Sequence, residues 1–250
     1  RILKIDISQA EVMPGVRAVI TGDDCPNLFG SFIADQPIVA RGKVRYQGEP
    51  VAAVAADTEE IAREAARLIQ VEYEQLPVVN DLETSMKNEV LIHEDWSQYD
   101  CSSACFPVQG TNIGDQYHLK KGDVEAGFAQ ADEIVESDFS CGMLQHTTIE
   151  THTATAQADP ISGDIHVWVP SQSPFSNRGL LAKAFRVPME KVRITVTEIG
   201  GGFGGKYEAK CEPIAVALSL KAKGRPVKLT YGRHGEFAAT VGRAPVHMHL

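Results

Sequence analysis

No run of roughly 18 or more apolar residues occurs in this chain, and a membrane-spanning helix needs about 20, so no such helix is expected. Cysteine is sparse and odd in number: Cys25, Cys101, Cys105, Cys141 and Cys211 include no CxxC pair. A disulfide framework is therefore not expected, and a reducing, cytoplasmic setting is the default. Nor does any cysteine cluster suit an iron-sulfur centre, and no flavin motif is visible. Positive charge is in deficit, with 24 Lys and Arg against 33 Asp and Glu for a net charge of -9, and the cations are scattered. A nucleic-acid surface needs a basic face, so that class is excluded. The first residues, Arg1-Ile-Leu-Lys-Ile-Asp-Ile-Ser8, lack a signal-peptide pattern and read as a strand already under way, as expected of a piece of a longer protein.

Glycine, by contrast, is concentrated. Five of the 21 glycines fall in Gly200-Gly201-Gly202-Phe203-Gly204-Gly205-Lys206, between a strand pattern and a helix pattern. Each loop glycine costs chain entropy on folding, so the run implies close backbone approach or several positive φ angles, with an oxygen-bearing ligand as the natural candidate. Two standard templates nearly fit, GxGxxG and GxxxxGK. The second needs a Ser or Thr hydroxyl after the lysine to ligate Mg²⁺, where this chain has Tyr207. The first needs a carboxylate about 20 residues on, and residues 221–232 contain none. A phosphate- or nucleotide-binding module using the run and Lys206 as an anion cradle stays open as an alternative, as does a non-catalytic scaffold.

At 250 residues and 43% hydrophobic, the chain has material for a sizeable core in one or two α+β domains. Residues 1–85 read as strand, helix and strand: strands at 16–21 and 50–56, a helix capped by Asp57 with Glu60 as its box partner, and a strand from Val71. Residues 86–116 are polar and turn-rich and read as a linker or crossing segment. Residues 117–250 form the second unit: a short helix after Asp123, a long strand from Glu133 to about Ala158, and a hairpin partner at 165–169. A helix from Ser173-Pro174, a strand at 192–199, a helix over 207–223 and a strand at 227–231 complete it. On the long strand, His146, Thr148, Glu150 and His152 share one face. Two imidazoles and a carboxylate are metal-ligand types, but i to i+2 spacing of about 7 Å is awkward for one ion, and a hydrogen-bonded polar face is expected instead. Cys101 and Cys105 are expected to be loop thiols.

Together these pieces resemble the molybdenum-binding subunit of the xanthine dehydrogenase and aldehyde oxidase family. Gly-Gly-Gly-Phe-Gly-Gly-Lys follows a strand, with Ser171-Gln172-Ser-Pro-Phe175 some thirty residues earlier. The stretch from Val44 to Ala62 is similar to the family's α/β-hammerhead domain, and Gln145 through Ala154 to its E-x-H strand. The resemblance implies an α/β-hammerhead domain followed by the first part of a molybdopterin-binding α+β domain. It implies a molybdenum-pterin cofactor, either molybdopterin or its cytosine dinucleotide form, that inserts a water-derived oxygen into an N-heterocyclic aromatic or an aldehyde. Gln172 would donate a hydrogen bond to the apical oxo ligand, and Gly201, Gly202, Phe203, Gly204 and Gly205 would approach the cofactor. Phe203 and Tyr207 would line the substrate pocket, and no side chain here would ligate the metal directly. Xanthine-specific members carry a glutamate at the Tyr207 position, which puts a purine substrate in doubt. The family's general base, a glutamate in a Gly-x-Gly-Glu context, has no counterpart in these residues, so the 250 residues alone are expected to be inactive and without cofactor. Iron-sulfur and FAD partners, on other domains or subunits, and an oligomeric parent are implied in the same way.

Overall fold

A computed structural model describes all of residues 1–250. The first 77 residues carry β1 (Ile2–Asp6), α1 (Ser8–Glu11), β2 (Val16–Thr21), β3 (Leu28–Phe29), β4 (Gln36–Pro37), β5 (Ala52–Ala56), α2 (Glu59–Leu68) and β6 (Gln70–Tyr73). Next come α3 (Leu82–Met86), α4 (Val124–Ala129) and β7 (Asp138–Cys141). The remainder carries β8 (Thr153–Ala158), β9 (Ile165–Val169), α5 (Pro174–Phe185), β10 (Val192–Val196), α6 (Cys211–Lys221), β11 (Val227–Thr230), α7 (Arg233–Ala239) and β12 (Val246–His249). By packing, Arg1–Pro77 and His146–Val241 form one unit, and Val78–Gln145 with Gly242–Leu250 another.

In the larger unit, a four-stranded sheet runs in the order β10-β9-β8-β11. β8 and β9 pair antiparallel across a turn in which Asp159 accepts the N–H groups of Ile161 and Ser162. β9 and β10 pair parallel, a connection that needs a crossover, and α5 supplies it. Pro174 sits in the first turn of α5, and Arg186 closes the helix in the left-handed region at φ 53°. The strand expected to reach residue 199 ends at Val196, and three residues separate it from the glycine run.

α6 holds this unit together. Residues Cys211 through Ser219 are all buried, as expected of a helix that is apolar on every side. Cys211, Ala215 and Val216 join the cluster built on β8 and β9, with Ala154, Ala156, Ile165 and Val167. Ile214, Ala217 and Leu218, at i, i+3 and i+4, face the other way into a cluster with Ala18 and Ile20 of β2 and Ala55 of β5. The antiparallel β2–β5 pair and the four-stranded sheet thus share one helix as their core.

Several local expectations change. α2 is capped by Thr58, whose Oγ1 accepts from Ile61 N at 3.3 Å, while Asp57 is occupied by a two-point pair with Arg17 Nε and Nη2 on β2. The long strand over 133–158 is broken into β7 and β8, and Thr147 between them has φ 53°, which no strand accommodates. α6 begins at Cys211 instead of Tyr207, because the Glu212 carboxylate turns back to accept Lys210 N at 2.8 Å. In the smaller unit, residues 86–116 are held by local bonds. Asn112 accepts from Ile92 N and donates to Ser85 and Val90 carbonyls, and buried Trp96 donates Nε1–H to Thr111 O at 2.9 Å. Cys101 and Cys105 are free thiols there, each near a carbonyl.

Leu218, 1% exposed, fills the interior of the α6 interface. Leu218→Ala is expected to cost about 2–5 kcal/mol through lost burial and the cavity left behind, read as a lowered urea midpoint with unchanged slope.

Candidate functional site

The glycine run needs the backbone freedom that its sequence suggests, but at selected positions. Gly201 and Gly204 have φ of 95° and 92°, and Phe203 between them sits at 52°. A left-handed phenylalanine is strained, and such strain persists where the surroundings over-determine it. The Phe203 ring is 74% exposed, so its own burial is not what holds it there.

At Gly200, Gly202 and Gly205 the requirement is space. A Cβ on Gly200 would lie 2.5 Å from Glu150 Cβ, on Gly202 2.5 Å from Gln172 Cδ and Oε1, and on Gly205 2.9 Å from His146 Nδ1. The protein's own side chains fill these places, so at Gly200, Gly202 and Gly205 the close approach expected of the run is to Glu150, Gln172 and His146. The run's donors are also largely spent internally. Gly200 N–H donates to Glu150 Oε2 at 2.8 Å and Gly205 N–H to Gly202 O at 2.8 Å. Gly204 and Lys206 N–H both donate to Gln172 Oε1, at 3.1 and 3.2 Å. Gln172 N–H donates in turn to Lys206 O at 2.9 Å, tying the start of α5 to the end of the run.

These two donors settle which way the Gln172 amide points. Its oxygen must face the loop N–H groups, so its Nε2, with two N–H donors, is the end left for something else. Gln172 is exposed, and the N–H groups of Gly201, Gly202 and Phe203 are those of the run with no acceptor inside the protein. The site therefore offers several neutral donors and an exposed aromatic ring.

Lys206 does not belong to that surface. It is 2% exposed, and its Nζ lies 2.5 Å from Glu150 Oε2. An anion cradle built on this lysine needs a presented ammonium. Lys206 is buried and paired with Glu150, so the geometry opposes a phosphate cradle that uses Lys206.

The segment His146–His152 is where sequence reasoning saw least. It is an irregular bracket, clamped from α7 by Arg233, which donates to Thr148 O and Ile149 O at 2.6 and 2.7 Å. Glu236 accepts His152 N–H at 2.7 Å and faces His152 Nδ1 at 2.9 Å. His152 Nε2 reaches Gly205 O at 3.1 Å, and Thr148 Oγ1 donates to Glu150 O. His146, Glu150 and His152 are thus brought against the run as protein-held groups and do not converge as ligands of one ion. Their polar character was legible as alternation, but Glu236 and Arg233 carried no sequence signal.

Tyr207 lies in the turn between the run and α6, 53% exposed, so it does not begin the helix. Glu208 is in the same turn and pairs with Lys210 at 3.5 Å. Beneath Gln172, Ser171 and Asn177 are buried with Glu212. Asn177 Nδ2 donates to Ser171 Oγ at 2.9 Å and to Glu212 Oε1 at 3.1 Å. Burial pushes the Glu212 carboxyl above its ordinary value, despite the hydrogen bonds it accepts.

A strand that ends in a glycine run, a glutamine pinned to that run and a buried polar bracket behind it describe a cofactor-binding domain of the molybdopterin class. Residues 106–250 match the family model of the molybdopterin cofactor-binding domain, and residues 1–77 that of the aldehyde oxidase and xanthine dehydrogenase a/b hammerhead domain. The chain belongs to this family. A probable xanthine dehydrogenase subunit from Bacillus subtilis (strain 168) is 37% identical over 248 residues, 98% of this chain and 31% of the relative. The nicotinate dehydrogenase large molybdopterin subunit of Eubacterium barkeri is 34% identical over 252 residues, 100% of this chain and 55% of the relative. Reconstituted CO dehydrogenase from Oligotropha carboxidovorans has a similar structure, with TM-score 0.81 at 28% identity over 100% of this chain and 32% of that one. Quinoline 2-oxidoreductase from Pseudomonas putida 86 gives 0.76 at 29% identity, over 97% of this chain and 30% of that one. The chain spans about a third to about half the length of these proteins.

Gly200→Ala forces a methyl against Glu150 Cβ and is expected to cost about 1–3 kcal/mol by overpacking. Gly179→Ala, on α5 with nothing within 4 Å of the new Cβ, is expected to gain about 0.5–1 kcal/mol from helix propensity. Denaturant midpoints of the two variants should move in opposite directions. For Glu212, the folded carboxyl ionises above its unfolded value, so the folded state binds more protons between the two. Its contribution to stability is therefore full below the unfolded value and is lost as pH rises through the folded one. Denaturant midpoints measured from about pH 4 to pH 8 should show this decline, and Glu212→Gln should flatten it.

Proposed function

We propose that the protein carrying this chain is a molybdenum hydroxylase large subunit, and that Gln172 and the glycine run form one wall of its cofactor site. The observation that carries this is the orientation of the Gln172 amide, whose oxygen is held by Gly204 and Lys206 N–H and whose Nε2 is left as a donor. The residues fit such a group. A neutral amide donor and unspent N–H groups at Gly201, Gly202 and Phe203 suit an oxygen-rich anionic cofactor without adding charge of their own. A molybdenum-pterin bound here supplies the oxidising chemistry that places a water-derived oxygen on an electron-poor carbon.

The chain's own residues then have separable tasks. Gln172 donates through Nε2 to an acceptor on the cofactor, and the loop N–H groups hold that acceptor region in place. Gly201, Gly202, Gly204 and Gly205 let the backbone turn closely enough for both. Lys206 and Glu150 neutralise each other behind the wall and keep it from collapsing. Phe203 and Tyr207, both exposed at the site, present aromatic faces against which a flat substrate ring stacks. That surface favours an N-heterocyclic aromatic substrate over a small aldehyde. Iron-sulfur and FAD centres on other domains or subunits of an oligomeric complex would take up the electrons.

The protein at its full natural length is expected to purify with about one molybdenum per chain by elemental analysis. Gln172→Glu, which replaces the Nε2 donor with an acceptor, is expected to lower turnover of an N-heterocyclic substrate by about 100-fold, in line with loss of one preorganised donor. Neither ATP nor NAD should raise its melting temperature; a rise with ATP or NAD and no bound molybdenum would favour the nucleotide-binding alternative.

A further inference from the structure

His152 is 6% exposed and Glu236 4%, and the imidazole lies between that carboxylate and the glycine run. Its Nδ1 is 2.9 and 3.0 Å from the two Glu236 oxygens, and its Nε2 is 3.1 Å from the Gly205 carbonyl. Both nitrogens therefore face oxygen. A carbonyl only accepts, so Nε2 is the donor of that contact. The backbone N–H of His152 also donates to Glu236 Oε2 at 2.7 Å, so the carboxyl group holds the residue by backbone and ring together.

The Gly205 carbonyl and the Lys206 N–H belong to one planar peptide unit and point in opposite directions from it. His152 Nε2 binds the carbonyl end and Gln172 Oε1 the N–H end. Rotating that unit breaks both bonds at once. We propose that His152, held between Glu236 and the Gly205 carbonyl, is the positioning residue of the site: it fixes the Gly205–Lys206 peptide and through it the orientation of the Gln172 amide. The inference rests on the cofactor-wall reading of Gln172, since positioning matters to function only if Nε2 meets the cofactor. Glu150 secures the other end of the run through Gly200 N–H, so the bracket and the run meet at two points.

The test uses the protein at its full natural length, prepared without molybdenum, and then with it. In the wild type, ¹⁵N spectra of selectively labelled histidine should show a proton on His152 Nε2, the nitrogen that faces the Gly205 carbonyl. Tryptic cleavage between Lys206 and Tyr207 in the cofactor-free protein should accelerate at least tenfold in His152→Ala and at least threefold in Glu236→Gln. His118→Ala should cleave at the wild-type rate. Molybdenum content should fall at least fivefold in His152→Ala after loading. If His152→Ala does not fold, Glu236→Gln and the wild-type spectrum decide. A His152 Nε2 without a proton in the wild type, or unchanged cleavage in the variants that fold, overturns the proposal. Accelerated cleavage with full molybdenum content leaves the positioning role standing and overturns the cofactor-wall reading instead.

Discussion

Two backbone N–H groups, from Gly204 and Lys206, converge on the single oxygen of Gln172, and the rest of the site depends on this contact. It fixes the end of the glycine run against the start of α5, and it decides which end of the amide faces outward. A glutamine side chain has several rotatable bonds and loses substantial entropy when held, so an unpinned Gln172 would present its donor only part of the time. The reciprocal bond from Gln172 N–H to Lys206 O makes the two segments one rigid unit. Preorganised donors are worth most when they need no rearrangement as the ligand arrives.

The scaffold behind the contact explains why it holds. α5 and α6 both pack on the four-stranded sheet, Gln172 lies two residues before the start of α5, and the glycine run lies between β10 and α6. α6 is buried along nearly its whole length because it serves two apolar clusters, one with β8 and β9 and one with β2 and β5. The hammerhead segment thus contributes to the core that anchors the run. At the other side, buried Lys206 pairs with half-buried Glu150, and buried His152 and Glu236 face each other, so no ionisable group there is left without a partner.

Much of this was legible in the chain itself, where local chemistry dominates. Pro174 after Ser173, the turn at Asp159, and the apolar stripe of α2 all specify elements that formed where expected. Motif order led to the family and to Gln172 and the glycine run together. What was not legible came from contacts distant in sequence. Asp57 reads as a helix cap until Arg17 of a neighbouring strand takes its carboxylate. The alternation of His146, Thr148, Glu150 and His152 reads as a strand, but Arg233 and Glu236, more than 80 residues away, hold that segment in an irregular form. Glycines at 200, 202 and 205 read as room for a ligand, and the room is taken by Glu150, Gln172 and His146. Tyr207 reads as the first helical residue only if the Glu212 carboxylate is not known to close the helix at Lys210.

The protein's own side chains shape the glycine run before any cofactor arrives, and residue-resolved amide hydrogen exchange on the cofactor-free protein tests this most directly. Slow exchange is expected at Gly200, Gly204, Gly205 and Lys206, whose N–H groups end on Glu150, Gln172 and the Gly202 carbonyl, and fast exchange at Gly201, Gly202 and Phe203. Uniformly fast exchange across the run, slowed everywhere only when the cofactor is added, would show that the ligand organises the loop and would contradict a run shaped in advance.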